Sequence, residues 1–96
     1  MRFFWTEAAE RDRDSVVRYV MAENPRAALK LEDRFDECMQ LLLQFPDAGR
    51  PGRVEGTKEL VITETPYIAV YTVVAGEIRI LRVIHGSRMW PDALPD

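Results

Sequence analysis

Residues 67–85 read YIAVYTVVAGEIRILRVIH, and this stretch decides the fold. Residues 67–74 and 77–85 are dense in Val, Ile and Tyr, side chains that suit a pleated surface. Between them Ala75-Gly76 leaves room for a tight two-residue turn, so the stretch predicts an antiparallel hairpin. With those two as the loop, Val74 should oppose Glu77, Thr72 oppose Arg79, Val70 oppose Leu81 and Ile68 oppose Val83. All four pairs share one face, which His85 extends. The other face then carries Tyr67, Ala69, Tyr71 and Val73 with Ile78, Ile80, Arg82 and Ile84. Both faces are mostly apolar, so periodicity does not say which one is covered.

Working outward, residues 58–63 form a further strand, turned back by Glu64-Thr65-Pro66, and the three strands make an antiparallel meander. Residues 46–57 read PDAGRPGRVEGT, a long loop with enough Gly and Pro to refuse both helix and strand. Before it, Ala28, Leu31, Phe35, Cys38, Leu42 and Phe45 recur at alternating three- and four-residue spacings, with Met39 beside them. That is one apolar face of a helix, which Pro46 ends. Asn24-Pro25 supplies a cap and a preset first helical residue. Upstream, Thr6 caps an earlier helix running to about Ala22. Its inner stripe is Ala9, Val16, Val17 and Val20, with residues 11–14 in a solvated stretch. So short a connection makes the two helices an antiparallel hairpin. Phe3-Phe4-Trp5 is an initial strand. The expected order is β-α-α-β-β-β, an α+β fold whose helical hairpin packs on an antiparallel sheet.

The chain has 96 residues, 47% of them apolar and 30% charged, the composition of one ordinary globular domain spanning 1–96. One core is all this length can build, and a partner covering apolar surface would add to a modest stability. A formal net charge of −3 gives no global attraction to nucleic acid, so any polyanion site must be local. The N-terminal ten residues lack the apolar stretch of a signal peptide, and nothing approaches a membrane span, which makes the cytoplasm the expected location.

One His and one Cys give no metal-ligand spacing, and no glycine-rich phosphate loop is present, so neither metal nor cofactor is expected. Cys38, on the apolar helix face with no activating neighbour, is a small hydrophobe. Ser15 and Ser87 lack the nucleophile-elbow context of a serine hydrolase. The local feature that stands out is cationic. Arg79, Arg82, His85 and Arg88 occur without an intervening acid, and Trp90 follows. Arg82, between Ile80 and Ile84, must pair with an acid or line an open groove. The loop adds Arg50, Arg53 and Lys58, which could reach the same side. His85, at a strand end, has the chemistry of an acid, a base or a phosphate contact.

From Phe3 to Pro91 the order of elements and the local words resemble the RelE/ParE superfamily of type II toxin-antitoxin toxins. The words are Phe45-Pro46 followed by Gly49-Arg50, then Gly56-Thr57-Lys58-Glu59-Leu60, then Pro66-Tyr67 before Val70-Tyr71. They end in Ile80-Leu81-Arg82-Val83-Ile84-His85-Gly86 with Trp90-Pro91. The resemblance implies a small cytoplasmic bacterial toxin neutralised by a cognate antitoxin laid over its surface, with no small-molecule substrate. RelE-like members cut mRNA in the ribosome, whereas ParE-like members poison DNA gyrase without a hydrolytic centre of their own. Ribonuclease members carry an Arg in the third strand and a terminal Tyr or similar residue beside the His. This chain has Ile68 and Thr72 there, and Gly86 after His85. The Gly-Thr-Lys-Glu-Leu and His-Gly-x-x-x-Trp-Pro words favour the ParE branch. On that reading Arg79, Arg82, Arg88 and Trp90 lead the contact with gyrase, with His85, Arg50, Arg53 and Lys58 beside them, and there is no catalytic residue. On the RelE alternative His85 transfers a proton and Arg53 and Arg82 stabilise the phosphate of a ribosome-bound mRNA.

Overall fold

The computed structural model describes residues 1–87. It runs β1 (Arg2–Trp5), α1 (Glu7–Glu23), α2 (Pro25–Gln44), β2 (Arg50–Pro51), β3 (Lys58–Val61), β4 (Tyr67–Val74) and β5 (Glu77–His85). The expected β-α-α-β-β-β order holds, with the two-residue β2 added inside the segment read as loop. The five strands form one sheet in the order β1-β5-β4-β3-β2. The β2 to β5 pairings are antiparallel, while β1 lies parallel to β5 and makes the sheet mixed.

The helices begin where their caps require. The Thr6 hydroxyl accepts from the Ala9 N–H, and the Asn24 side chain accepts from the Ala27 N–H ahead of Pro25, relieving donors that a helix start leaves unpaired. Asn24 alone joins the helices. Arg13, early in α1, bonds Glu32 and Asp36 in the middle of α2, so the two run back along each other as a hairpin. Residues 11–14 are therefore not simply solvated. The Arg13 guanidinium also lies over the rings of Trp5 and Phe35, at 5.4 and 4.9 Å.

The α2 stripe Ala28, Leu31, Phe35, Cys38, Met39 and Leu42 is buried. Most of it joins Ala9, Ile62, Ala69, Tyr71, Ile78, Ile80 and Val83 in one core between the helices and the sheet. Phe45 breaks the expectation. It is the C-cap of α2, with φ −132° and ψ 79°, and is 57% exposed, because the chain leaves helical geometry one residue before the stripe would bury it. Cys38 is buried in this core, and desolvation pushes its thiol up to about 11, the behaviour of an inert hydrophobe.

The β4–β5 turn forms as read. Ala75 and Gly76 both have positive φ, 53° and 76°, which matches the twist of a hairpin. Val74 opposes Glu77 and Thr72 opposes Arg79. The register then slips: Tyr71 pairs with Ile80 but Val70 pairs with Arg82, leaving Leu81 as the extra residue of a β-bulge. The expected pairs Val70–Leu81 and Ile68–Val83 do not form. Past the bulge every side chain of β5 changes face. Val83 joins the helix-side core. Ile84 joins Ile68 and Val70 in a second buried cluster on the opposite, outer face.

The bulge sits where β1 has ended, since β1 covers only residues 77–80 of β5. There α1 takes over the edge. The Leu81 carbonyl accepts from the Thr6 hydroxyl, and the Val83 N–H donates to Asp12 at 2.9 Å. The same carboxylate takes the Arg82 guanidinium through two bonds, at 2.6 and 2.9 Å. Asp12→Ala leaves an amide and a guanidinium without this acceptor, and is expected to cost about 1–3 kcal/mol of stability. Urea unfolding checks it, and a loss under about 0.5 kcal/mol, typical of a neutral surface substitution, would mean that the contact does not fasten α1 to β5.

Candidate functional site

The helices cover one face of the sheet, and the cationic residues singled out from the sequence can be placed against the other. Across the outer face one row of partners runs Arg50, Glu59, Val70, Arg82 and a neighbouring one runs Thr72, Arg79, Phe4. Arg50, Arg79 and Arg82 thus share the outer face. Arg82 reaches it through the bulge, against the expectation that it lies with Ile80 and Ile84, and its guanidinium turns to the β5 edge to meet Asp12. Arg82 satisfies the requirement to pair with an acid, and the hydrogen bond it donates to Asp12 raises its already high pKa.

His85 moves the opposite way. It pairs with Tyr67 on the helix side of the sheet, not on the face of Arg79. Its ring meets the Tyr67 ring edge-on at 5.4 Å between centroids. Its Nδ1 accepts from the Ser87 N–H and lies 2.8 Å from the Ser87 hydroxyl, so Nδ1 serves as an acceptor at the strand end. Arg79 bonds Glu77 at 2.9 Å, with its guanidinium 5.1 Å from the centroid of the Phe4 ring. Arg88 and Trp90 lie outside the described residues.

The three loop cations gather at the far edge of the sheet. Glu59, whose side chain is only 3% exposed, accepts from the Arg53 backbone N–H at 2.8 Å and from the Arg50 guanidinium at 3.2 Å, with Arg53 Nε at 3.5 Å. Burial pushes this carboxyl up, but the Arg53 N–H and the two guanidinium groups outweigh it and hold Glu59 below its ordinary value. Lys58 bridges to Asp47 at 3.7 Å. The loop is fixed from beneath by Tyr71. Its buried hydroxyl donates to the Pro46 carbonyl at 2.8 Å and accepts from the Gly49 N–H at 2.9 Å. Burial raises the phenol's pKa, the largest of the effects on it. A Cβ at Gly49 would lie 2.7 Å from that hydroxyl and 2.8 Å from the Glu59 carbonyl, so the Gly49-Arg50 word is a steric requirement.

The structure therefore assembles Arg50, Arg53 and Lys58 around one corner and spreads Arg79, Arg82 and His85 along β5. Three strand spacings, about 14 Å, separate Arg50 from Arg82. Asp12, Glu59 and Tyr71 organise these cations; Glu59 and Tyr71 stand in the words that carry the resemblance, but none of the three was assigned a role from the sequence. Glu59 had one visible signal, an acid running straight into the apolar Leu60-Val61-Ile62, whereas Asp12 had none, because its partner is 70 residues away.

The comparisons with known proteins agree with this architecture. The family model described as "ParE toxin of type II toxin-antitoxin system, parDE" matches residues 3–90. This chain belongs to the ParE toxin family. A Sinorhizobium fredii protein named "Putative toxin Y4kP" is 36% identical over 93 residues, covering 97% of this chain and 96% of that protein. A chain of the solved "Chromosomal ParDE TA system from P. aeruginosa" superposes with a TM-score of 0.81 at 32% identity, covering 88% of this chain and 95% of that one. The RelE/ParE resemblance and its ParE branch are thereby shown, and ParE membership implies an antitoxin partner.

Because Glu59 is held below the ordinary carboxyl pKa of about 4.3, its contribution to stability is complete above that pH. It is lost as pH falls through the lower folded-state value. Glu59→Gln should lower stability at pH 7 by about 1–2 kcal/mol and flatten the fall in stability on acidification. Urea midpoints between pH 3 and pH 7 measure both, and an unchanged acid slope would remove Glu59 as the organiser of the loop.

Proposed function

We propose that this chain is the toxin of a type II pair that acts in the cytoplasm by gripping DNA gyrase, and that a cognate antitoxin neutralises it. The damage then comes from the target's own chemistry, with the enzyme's cleaved-DNA state stabilised by the bound toxin. The observation that carries the reading is the dispersal of the catalytic set that mRNA cleavage would need. Phosphodiester transfer requires a cation at the scissile phosphate with an acid and a base in reach of the same atoms. Arg82 and His85 belong to opposite faces of the sheet, Arg82 is committed to Asp12, and Arg53 sits at the β2–β3 corner beside Glu59. No two of them converge on one point.

The same arrangement suits a binding surface. Arg50, Arg79 and Arg82 share the face opposite the helices, each oriented by a carboxylate, and Phe4 lies 48% exposed beneath Arg79. Arginine and aromatic side chains held in place before contact lose little freedom on binding and are enriched where interfaces draw their energy. Arg79 and Arg82, with Arg88 and Trp90 following in sequence, are assigned to the gyrase contact, and Arg50, Arg53 and Lys58 to its margin. His85 has a structural place at the strand end.

Expression of the chain in a bacterium without antitoxin should halt growth with DNA breaks and an SOS response, while mRNA stays intact within translated codons. His85→Ala should leave that toxicity within about twofold, whereas Arg79→Glu with Arg82→Glu should weaken it at least tenfold. Cuts placed within codons, abolished by His85→Ala, would establish the ribonuclease alternative instead.

A further inference from the structure

The outer face of the sheet carries an apolar cluster that none of the described elements covers. Ile68 and Val70 of β4 and Ile84 of β5 lie on that face, yet they are 6%, 0% and 6% exposed. The helices pack on the opposite face. The two cations beside the cluster are drawn away from it, Arg82 to Asp12 at the β5 edge and Arg50 to Glu59 at the β2–β3 corner. Apolar side chains on a bare sheet face would keep much of their surface in water, so this burial requires a cover, and it arises within a single chain. The cover is local. Val61, beside Ile68 in the same row, is 49% exposed, and Phe4 at the other end of the face is 48% exposed. Whatever lies over β4 and β5 near the end of β5 therefore stops before β3.

We propose that the cover is the chain's own continuation after β5. Residues 88–96, outside the described residues, read RMWPDALPD, and this segment folds back over the outer face with Trp90 seated on Ile68, Val70 and Ile84. The path begins within the described chain. The Gly86 N–H donates to the Pro66 carbonyl at 2.8 Å, and a Cβ at Gly86 would lie 3.4 Å from Ile68 Cδ1. The backbone leaving β5 therefore already touches an outward-facing side chain of the cluster. The four residues from Gly86 to Trp90 reach about 13 Å. Ile84 lies about 5 Å across the sheet from Ile68, and Val70 about 7 Å along its strand, so the whole cluster is within that reach. An indole of about 200 Å² has the area to close over three aliphatic side chains. For its consequence the proposal rests on the gyrase reading above, and it deepens that reading by placing two of its contacts. One face of the indole closes the cluster while the other stays outward, and Arg88 is carried to the side of Arg79 and Arg82. The target-facing surface is then built by this segment together with the sheet, and an aromatic held on a rigid floor before contact suits an interface anchor.

The test is nuclear magnetic resonance on the purified full chain, with the isoleucine δ1 methyls labelled, for the wild type and Trp90→Ala. The wild type should show nuclear Overhauser contacts from the Trp90 indole to the Ile68 and Ile84 methyls. Trp90→Ala should shift those two methyls, leave the methyls of Ile62 and Ile78 in the helix-side core in place, and lower the urea midpoint by about 1 M. Absence of the indole contacts would overturn the proposal. So would contacts found only between labelled and unlabelled copies in a mixed sample, which would assign the cover to a second copy. Should Trp90→Ala fail to fold, the wild-type contacts decide alone. In a gyrase cleavage assay the folded variant should trap cleaved DNA at least tenfold less effectively, and full trapping would remove Trp90 from the target-facing surface. A wild type that shows the indole contacts but traps no cleaved DNA would support the fold-back and overturn the gyrase reading instead.

Discussion

Asp12 stands where β1 stops and β5 continues alone. A strand edge without a partner leaves amide and carbonyl groups to be satisfied elsewhere, and here helix α1 meets that need from the side. One carboxylate oxygen of Asp12 takes both the Val83 N–H and the Arg82 Nε, while the hydroxyl of Thr6, the cap of the same helix, donates to the Leu81 carbonyl. The two contacts bracket the bulge at Leu81 and hold it in place. Which side chains of β5 face the helices and which face outward follows from that bulge, so the composition of both faces depends on it.

The opposite edge of the sheet is managed by a different device. β2 is only two residues long, and the segment that contains it is fixed through Tyr71 below and Glu59 beside it. A nearly buried carboxylate surrounded by cationic donors and a backbone amide is well compensated, whereas removal of any one partner would expose the cost of burying the rest. The corner presents arginines that are half exposed yet already oriented. Both edges therefore solve a backbone problem with an acid, and each acid also positions the arginines next to it. The cations of the outer face are ordered by the same contacts that hold the fold.

Much of this architecture is legible in the sequence. The α2 stripe from Ala28 to Leu42, the Asn24-Pro25 and Thr6 caps, the Ala75-Gly76 turn and the apolar strands are all local signals, set by periods and turn chemistry that need no partner elsewhere. The faces of β5 were not legible beyond Ile80. A bulge adds one residue to one strand and leaves no mark in a run such as Ile80-Leu81-Arg82-Val83-Ile84, where either register looks equally apolar. For that reason Arg82 and His85 exchange faces relative to the simple alternation. The parallel placement of β1 and the pairing of Arg50-Pro51 with Lys58-Glu59 are likewise long-range facts. The cationic residues were visible as candidates, but the acids that organise them were not, since Asp12 reads as one charge among four on a helix surface.

The most direct test of a gripping, non-hydrolytic toxin is a reaction containing only the purified chain, DNA gyrase, ATP and supercoiled plasmid. The account predicts that linear DNA covalently attached to gyrase accumulates with increasing toxin, and that the chain alone leaves the plasmid untouched. No trapped cleavage at any toxin concentration, together with mRNA cut by the same preparation when ribosomes are supplied, would contradict it.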